Sequence, residues 1–169
     1  MPKDDTYFFH QTPNELAIKL INEVELIEGD SVLEPFKGEG AFYNNLPDKV
    51  VKHYTEIEEG IDYKDFVGTV DWVITNPPFR LETGTKRINA FYFLLEYYST
   101  RVNKGIAFLC NDHCLSAMTP LRIKKLKDNN LYLHRIIICN IKKWRGRYFF
   151  MIFKKNEPSI LFNCIDGNY

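Results

Sequence analysis

The sequence has 169 residues, of which 45% are hydrophobic and 26% are charged, a composition typical of a soluble globular protein with one domain and a sizeable core. No apolar run approaches the roughly 18 residues of a membrane span, and residues 1–5 do not read as a secretory signal. The four cysteines form no CxxC pair. Cys110 and Cys114 flank ligand-type residues, but they fit buried thiols near a strand end better than a metal site. We therefore expect reduced cysteines, no metal and an intracellular (cytoplasmic) protein.

The formal net charge is zero, but the charges are divided unevenly along the chain. Residues 1–79 contain 6 Lys and Arg against 16 Asp and Glu, a net charge of −10, whereas residues 80–169 contain 16 against 6, a net charge of +10. The basic half includes the runs 122–127 and 142–147, and the second run also contains Trp144. Basic runs with an interleaved aromatic suit a nucleic-acid backbone. The alternative is a solvated helix face and hairpin that balance the acidic half.

The first predicted element is a helix that starts beside residue 12. Thr12 is a suitable N-cap and Pro13 a suitable first helical residue. Leu16 and Leu20 recur at helical spacing. A turn then leads to a short strand over residues 31–33.

A glycine-containing loop, Glu34-Pro35-Phe36-Lys37-Gly38-Glu39-Gly40-Ala41-Phe42, follows this strand and leads into a predicted helix start at residues 43–46. A strand, a Gly-x-Gly turn and a helix form the first unit of a nucleotide-type binding fold. This loop opens with an acid and lacks the third glycine of the dinucleotide fingerprint. Helix amides favour a carboxylate, whereas Glu34 suits an amine. A cofactor with both an α-amino group and a carboxylate fits the loop.

The second predicted strand, residues 50–55, ends next to further acids. An acid at the end of the second strand is the expected partner of a ribose diol, and Glu56 is the first choice, with Glu58 as the alternative. Asp62 and Tyr63 place an acid and a ring where the edge and face of an adenine could be read. The pair 65–66 offers the same residue types.

The segment 71–79 predicts a buried strand that ends in a rigid corner. Residues 72–74 are β-formers, and the run stops at Asn76-Pro77-Pro78-Phe79 because consecutive prolines cannot continue a sheet strand. The corner carries an amide side chain, a carbonyl before a proline and an aromatic ring. These groups suit a planar molecule with an exocyclic NH2. The alternative is a simple Pro-Pro turn with a buried Phe.

The remaining pattern alternates helices and strands and then ends in a hairpin. Residues 80–87 are predicted to form a mobile loop over a cleft. The predicted fold is a doubly wound α/β sheet with a C-terminal antiparallel hairpin. The other predicted elements are a helix over 90–102, a strand over 105–110, a basic helix over 121–129, and hairpin strands over 136–141 and 148–153.

The glycine loop followed by Asn-Pro-Pro-Phe resembles the S-adenosylmethionine-dependent methyltransferases that act on amino groups of nucleic acids, specifically the adenine-N6 type. The resemblance covers residues 8–79, and the late strand 148–153 is also similar. It implies S-adenosylmethionine as cofactor and a Rossmann-like fold. The chain departs from the family by its shortness: we expect a single domain over residues 1–169, with no room for a separate target-recognition domain. A partner chain could then supply target recognition. The motifs imply that the cofactor-binding residues are Thr12, Pro13, Glu34, Phe36, Gly38, Gly40, Phe42, Glu56, Asp62, Tyr63 and Asn76, and that the catalytic residues are Asn76, Pro77, Pro78 and Phe79.

The resemblance also implies a mechanism without a metal. The target base is turned out of its stack onto Phe79, while the Asn76 side-chain oxygen and the Pro77 carbonyl accept the two N6 hydrogens. DNA is favoured weakly over RNA. The expected nucleic-acid contacts are Arg80, Lys86, Arg87, Lys142, Lys143, Trp144, Arg145 and Arg147.

Two other functions remain open at this stage. Asn-Pro-Pro-aromatic corners also occur in enzymes that resemble the protein-glutamine N5 methyltransferases, whose substrate presents the same NH2 group. A catalytically silent methyltransferase fold that binds nucleic acid or an active partner is the alternative of another class.

Overall fold

The computed structural model describes residues 11–83, 86–141, 144 and 146–159. Eight strands and four helices are described in this part of the chain. The strands are β1 (Ser31–Glu34), β2 (Val51–Tyr54), β3 (Val70–Thr75), β4 (Arg80–Thr83), β5 (Lys86–Asn89), β6 (Val102–Asn111), β7 (Leu131–Cys139) and β8 (Tyr148–Lys155), and the helices are α1 (Asn14–Asn22), α2 (Ala90–Ser99), α3 (His113–Ala117) and α4 (Pro120–Asp128).

Six strands form one sheet in the order β2-β1-β3-β6-β8-β7. The first four are parallel, and β8 runs antiparallel to both β6 and β7. The chain moves outward from β1 to β2 and then crosses β1 to reach β3. The strand order therefore reverses between β1 and β3, which is the place where open α/β sheets bind ligands. The predicted doubly wound sheet with a C-terminal antiparallel hairpin is confirmed.

Apolar side chains cover both faces of the sheet, which explains why its central strands are nearly continuous apolar runs. On β3, Val73 packs in the core below α2, while Trp72 and Ile74 pack in the core below α1. The same alternation follows β8, where Phe153 lies on the α2 side and Phe150 on the α1 side, both fully buried. Because both faces of the sheet are buried, the polar side chains that could bind a ligand lie at the strand ends and in the loops.

The segment after the Pro-Pro corner was predicted wrongly as a mobile loop. It is an antiparallel ribbon in which β4 pairs with β5, from Arg80 opposite Asn89 to Thr83 opposite Lys86. The polar residues that dominate the ribbon gave no strand pattern, although Leu81 of β4 packs against the α2-side core. The ribbon is closed at its base by a backbone hydrogen bond of 3.2 Å from Ala90 N–H to the Phe79 carbonyl.

Other predicted boundaries differ in detail. The helix predicted over 90–102 ends at Ser99, because Val102 already belongs to β6. The predicted helix start at 43–46 is a single 3-10 turn, Tyr43–Asn45, and the short helix α3 was not predicted. The strand predicted over 136–141 is β7, which begins earlier, at Leu131.

The cysteines in the described residues are buried and free, as predicted. Within the same residues, no helix combines the length and the apolar character that crossing a membrane requires.

Candidate functional site

Two strand ends bring the predicted site together. β1 and β3 are paired in parallel, with Leu33 opposite Val73, so both leave the sheet at its carboxyl edge. The glycine loop follows β1 at Glu34, and the Asn-Pro-Pro-Phe corner follows β3. The two motifs, about 40 residues apart in the sequence, thus lie at the reversal of strand order.

Glu34 is an acid inside the protein. Its side chain is only 2% exposed, and its Oε2 accepts a hydrogen bond of 2.6 Å from the Tyr43 N–H. Burial raises the pKa of Glu34 to about 8, and the neighbouring Glu56 carboxylate adds to the rise. A cation placed beside this carboxyl group would favour its charged form and lower its pKa.

The glycines of the loop are required by its backbone. Gly38 and Gly40 have φ of 51° and 83°, the left-handed region. A Cβ on Gly40 would lie 2.7 Å from the Asn44 amide nitrogen. The side chain of Gln11, an exposed and flexible residue, lies beside Gly38, with its Oε1 3.3 Å from where a Cβ would stand. A ligand that approaches Gly38 from that side has to displace Gln11.

Glu56 is joined to the glycine loop. Its Oε2 accepts a hydrogen bond of 2.5 Å from the Gly38 N–H, and its Oε1 accepts one of 3.2 Å from the Glu58 N–H. Glu56 is buried to 9% exposure, whereas Glu58 is exposed, which favours Glu56 over Glu58 at this position. Each carboxylate oxygen has a second lone pair, so the group can also accept hydrogen bonds from a ligand diol.

A contact that sequence reasoning missed holds the outer side of the loop. Lys37 forms an ion pair with Glu59, and its ammonium lies 3.9 Å from the centroid of the Tyr54 ring. The Tyr54 hydroxyl donates a hydrogen bond of 3.0 Å to Glu59. The Glu59 carboxylate holds the pKa of Lys37 above its usual value. No sequence signal could pair residues 37 and 59, because the contact depends on how β2 returns beside the loop.

Tyr63 and Phe36 form an aromatic wall at the other end of the loop. Their ring centroids are 5.4 Å apart, and Tyr63 is 7% exposed. Phe66, the alternative ring, packs instead on His53. Asp62 accepts a hydrogen bond of 2.9 Å from the Lys64 N–H in a local turn. The position of Tyr63 thus favours the pair 62–63 over 65–66, and an adenine-reading role remains a prediction.

The Asn-Pro-Pro-Phe corner faces outward where the chemistry was predicted. Phe79 is 46% exposed and therefore is not the buried Phe of a simple turn. Pro77 is buried, and the Asn76 Nδ2 donates a hydrogen bond of 3.3 Å to the Thr12 hydroxyl. This bond joins residues 64 positions apart and orients the Asn76 amide.

The role predicted for Thr12 at the helix terminus was wrong. Pro13 is the N-cap of α1, with ψ of 135°, and among the described residues no side-chain hydrogen bond caps the helix. The helix therefore begins at Asn14, one residue later than predicted, and the Thr12 hydroxyl turns to Asn76. Thr12 is 8% exposed and lies between α1 and the corner, and its part in cofactor binding stays a prediction.

Three of the predicted nucleic-acid contacts, Arg80, Trp144 and Arg147, are described, and they lie beside this edge of the sheet. Arg80 is exposed in β4, directly after Phe79, and Arg147 is exposed in the β7–β8 turn. Trp144 in that turn is half-buried, with its ring 4.7 Å from the Tyr148 ring. Of the remaining residues, Lys86 and Arg87 belong to β5 with side chains outside the described part, and Lys142, Lys143 and Arg145 lie outside the described residues.

Solved structures share this fold at low sequence identity. A protein from Vibrio vulnificus YJ016 described as the modification subunit of a type I restriction enzyme has a TM-score of 0.64 and 15% identity, over 88% of this chain and 45% of that one. A Pyrococcus horikoshii protein described as an RNA methyltransferase has a TM-score of 0.54 and 17% identity, over 86% of each chain. Magnesium protoporphyrin IX methyltransferase from Synechocystis PCC 6803, solved with bound SAM, has a TM-score of 0.59 and 10% identity, over 84% of this chain and 77% of that one.

These similarities establish the Rossmann-like methyltransferase fold. The chain spans about half the length of the Vibrio vulnificus protein. No protein-family model and no curated protein matches the sequence significantly.

Proposed function

We propose that this protein transfers a methyl group from S-adenosylmethionine to the exocyclic N6 of adenine in nucleic acid, with DNA favoured over RNA. The observation that carries the proposal is the meeting of Asn76, Thr12 and the glycine loop at the reversal of strand order, beside a half-exposed Phe79. The fold shared with structures described as a restriction-modification subunit and an RNA methyltransferase supports nucleic acid as the substrate class.

The residues around the glycine loop fit S-adenosylmethionine. The buried Glu34 carboxyl suits the α-ammonium of an amino-acid moiety, and the Glu56 carboxylate suits a ribose diol. Phe36 and Tyr63 offer apolar ring surface to an adenine. When bound, the sulfonium supplies an activated methyl group.

The Asn-Pro-Pro-Phe corner fits the acceptor base. An adenine amino nitrogen is a poor nucleophile because its lone pair is delocalised into the ring. The Asn76 side-chain oxygen and the Pro77 carbonyl are the acceptors for the two N6 hydrogens, and they stabilise the positive charge that grows on N6 during transfer. Stacking of the base on the Phe79 ring contributes roughly 1–3 kcal/mol. The Thr12 hydrogen bond holds the amide in position for this role.

The surrounding charge favours a polyanionic substrate. Arg80 and Arg147 are exposed at the same edge of the sheet, within the half of the sequence whose net charge is +10. Side chains of this type contact phosphates and position the strand without reading its sequence.

The test is methyl transfer from tritiated S-adenosylmethionine to duplex DNA, single-stranded DNA, structured RNA and a glutamine-containing peptide, with the product identified by mass spectrometry. We expect N6-methyladenine, and a loss of roughly 100-fold or more in Asn76→Ala, the scale of losing one preorganised hydrogen-bonding group. Asn103→Ala, at the opposite edge of the sheet, is the matched amide control.

Methylated glutamine as the main product, or Asn76→Ala with most of the wild-type turnover, would contradict the proposal. Cofactor binding without transfer to any substrate would instead indicate a silent binding partner.

A further inference from the structure

An open cleft of about 680 Å³ lies on the α1 side of the glycine loop. Its walls are the start of α1, the outer face of the loop around Ala41, and the β7–β8 turn with Asn140 and Trp144. The volume lies within the range of roughly 300–1,000 Å³ of small-molecule sites. The cleft is therefore large enough for a group the size of a nucleotide.

The cleft adjoins the proposed methyl-transfer corner without being part of it. Of the described residues, neither Asn76 nor Phe79 belongs to its lining, and neither do Glu34 and Glu56. Thr12 lines the cleft and at the same time bonds to Asn76. One side chain thus separates the cleft from the site proposed for the target base.

The charged groups in the lining argue against a phosphate ligand. Glu15, Lys19 and Glu39 line the cleft and give it a net charge of −1. The uncapped amino terminus of α1 opens into the same space, but a phosphate there would face two carboxylates. These walls disfavour an anionic group and accept a neutral or a cationic one.

The neutral groups in the lining suit a nucleobase. Four amide side chains provide both hydrogen-bond donors and acceptors, which is what the edge of a base requires. The half-buried Trp144 provides a ring, held by the edge-on contact with Tyr148. The four amides are Gln11, Asn14, Asn44 and Asn140.

We infer that this cleft binds the base next to the methylated adenine, through stacking on Trp144 and hydrogen bonds to its amides. The inference rests on the proposed function, because it takes the neighbouring corner as the site of the target base. The cleft would then determine which bases are preferred beside the target adenine, and it lies within the methyltransferase fold itself.

The test uses labelled single-stranded nonadeoxynucleotides with one central adenine, in which the two flanking bases are varied. Binding is followed by anisotropy and by tryptophan fluorescence, since Trp72 is buried and Trp144 is the partly accessible indole. We expect quenching on binding and a dissociation constant that rises roughly 5- to 150-fold in Trp144→Ala but little in Trp144→Phe. Asn140→Ala, at an exposed residue, should flatten the preference among flanking bases without affecting the fold.

The inference is overturned if the oligonucleotides bind without quenching, if both Trp144→Ala and Asn140→Ala keep the wild-type flanking preference, or if only the glutamine peptide quenches Trp144. Because these readouts are binding equilibria, they are independent of turnover. Adenine methylation with an unchanged flanking preference would remove this inference and leave the proposed function intact. A context-dependent, quenching interaction without methylation would contradict the proposed function, and it would reduce this inference to a cleft that binds a nucleobase.

Discussion

The buried acid Glu34 makes the stability of the free protein depend on pH in an unusual direction. In the folded chain its pKa is about 8, against an ordinary value of 4.5 that applies after unfolding. Between these two pH values the folded chain keeps a proton that the unfolded chain has released. Stability therefore falls as pH rises through this window, and it levels off above pH 8.

The variant Glu34→Gln removes this dependence. The glutamine carbonyl can still accept the hydrogen bond from Tyr43, but the side chain cannot ionise. The difference of about 3.5 between the two pKa values corresponds, at roughly 1.36 kcal/mol per pKa unit, to about 5 kcal/mol as an upper bound. We expect the variant to match the wild type near pH 4.5 and to be more stable by roughly 3–5 kcal/mol at pH 8 to 9.

The assay is urea unfolding at several pH values, followed by circular dichroism, for the wild type, Glu34→Gln and the exposed glutamate control Glu39→Gln. The same Glu34→Gln protein should bind S-adenosylmethionine more weakly by calorimetry, because the proposed ammonium loses its partner. Stability curves of the wild type and Glu34→Gln that run parallel from pH 4.5 to 9 would refute the reasoning.

Three further predictions concern the loop, the corner and the helix ends. Glu56→Ala should weaken S-adenosylmethionine binding in calorimetry more than it changes the maximal rate, and an unchanged affinity would contradict the ribose-binding role. Phe79→Ala should raise the dissociation constant for an adenine-containing oligonucleotide by roughly 5- to 150-fold in anisotropy, whereas Phe79→Tyr should stay close to the wild type. Equal affinities of the wild type and both variants would exclude stacking of the base on the ring of residue 79. Lys155→Met should lower the free energy of unfolding by roughly 1–3 kcal/mol in urea titrations. The reason is that the Lys155 ammonium donates hydrogen bonds of 2.9 Å to the Ser99 carbonyl, at the end of α2, and of 2.5 Å to the Asn129 carbonyl, at the end of α4. An unchanged unfolding midpoint in Lys155→Met would show that water replaces those bonds.

The parts of the fold that the sequence predicts well are those with strong local signals. The apolar run at 72–74 has to be a buried strand, and the prolines after it can only end that strand. The glycines at 38 and 40 predict a tight turn, and both indeed have positive φ. Because the glycine loop and the Asn-Pro-Pro-Phe corner each follow a parallel strand, the rules of α/β topology suffice to predict that they meet at the carboxyl edge of the sheet.

The parts that the sequence does not reveal depend on contacts between distant residues. The Thr-Pro sequence before α1 predicted a helix cap at Thr12. Nothing local indicates that the Thr12 hydroxyl contacts Asn76 instead. Lys37 and Glu59 meet because β2 returns beside β1. The ribbon β4–β5 has polar faces, so periodicity gave no strand signal. Each of these misses concerns pairing in space and not residue type.

The ribbon that follows Phe79 has both of its ends at one place. A backbone hydrogen bond joins residues 79 and 90, so the two ends of the ribbon lie side by side, while Leu81 packs against the core. Doubling the length of a flexible segment attached in this way costs only about 0.6 kcal/mol in closure entropy. A longer target-recognition segment could therefore be inserted between residues 79 and 90 without displacing the Asn-Pro-Pro-Phe corner.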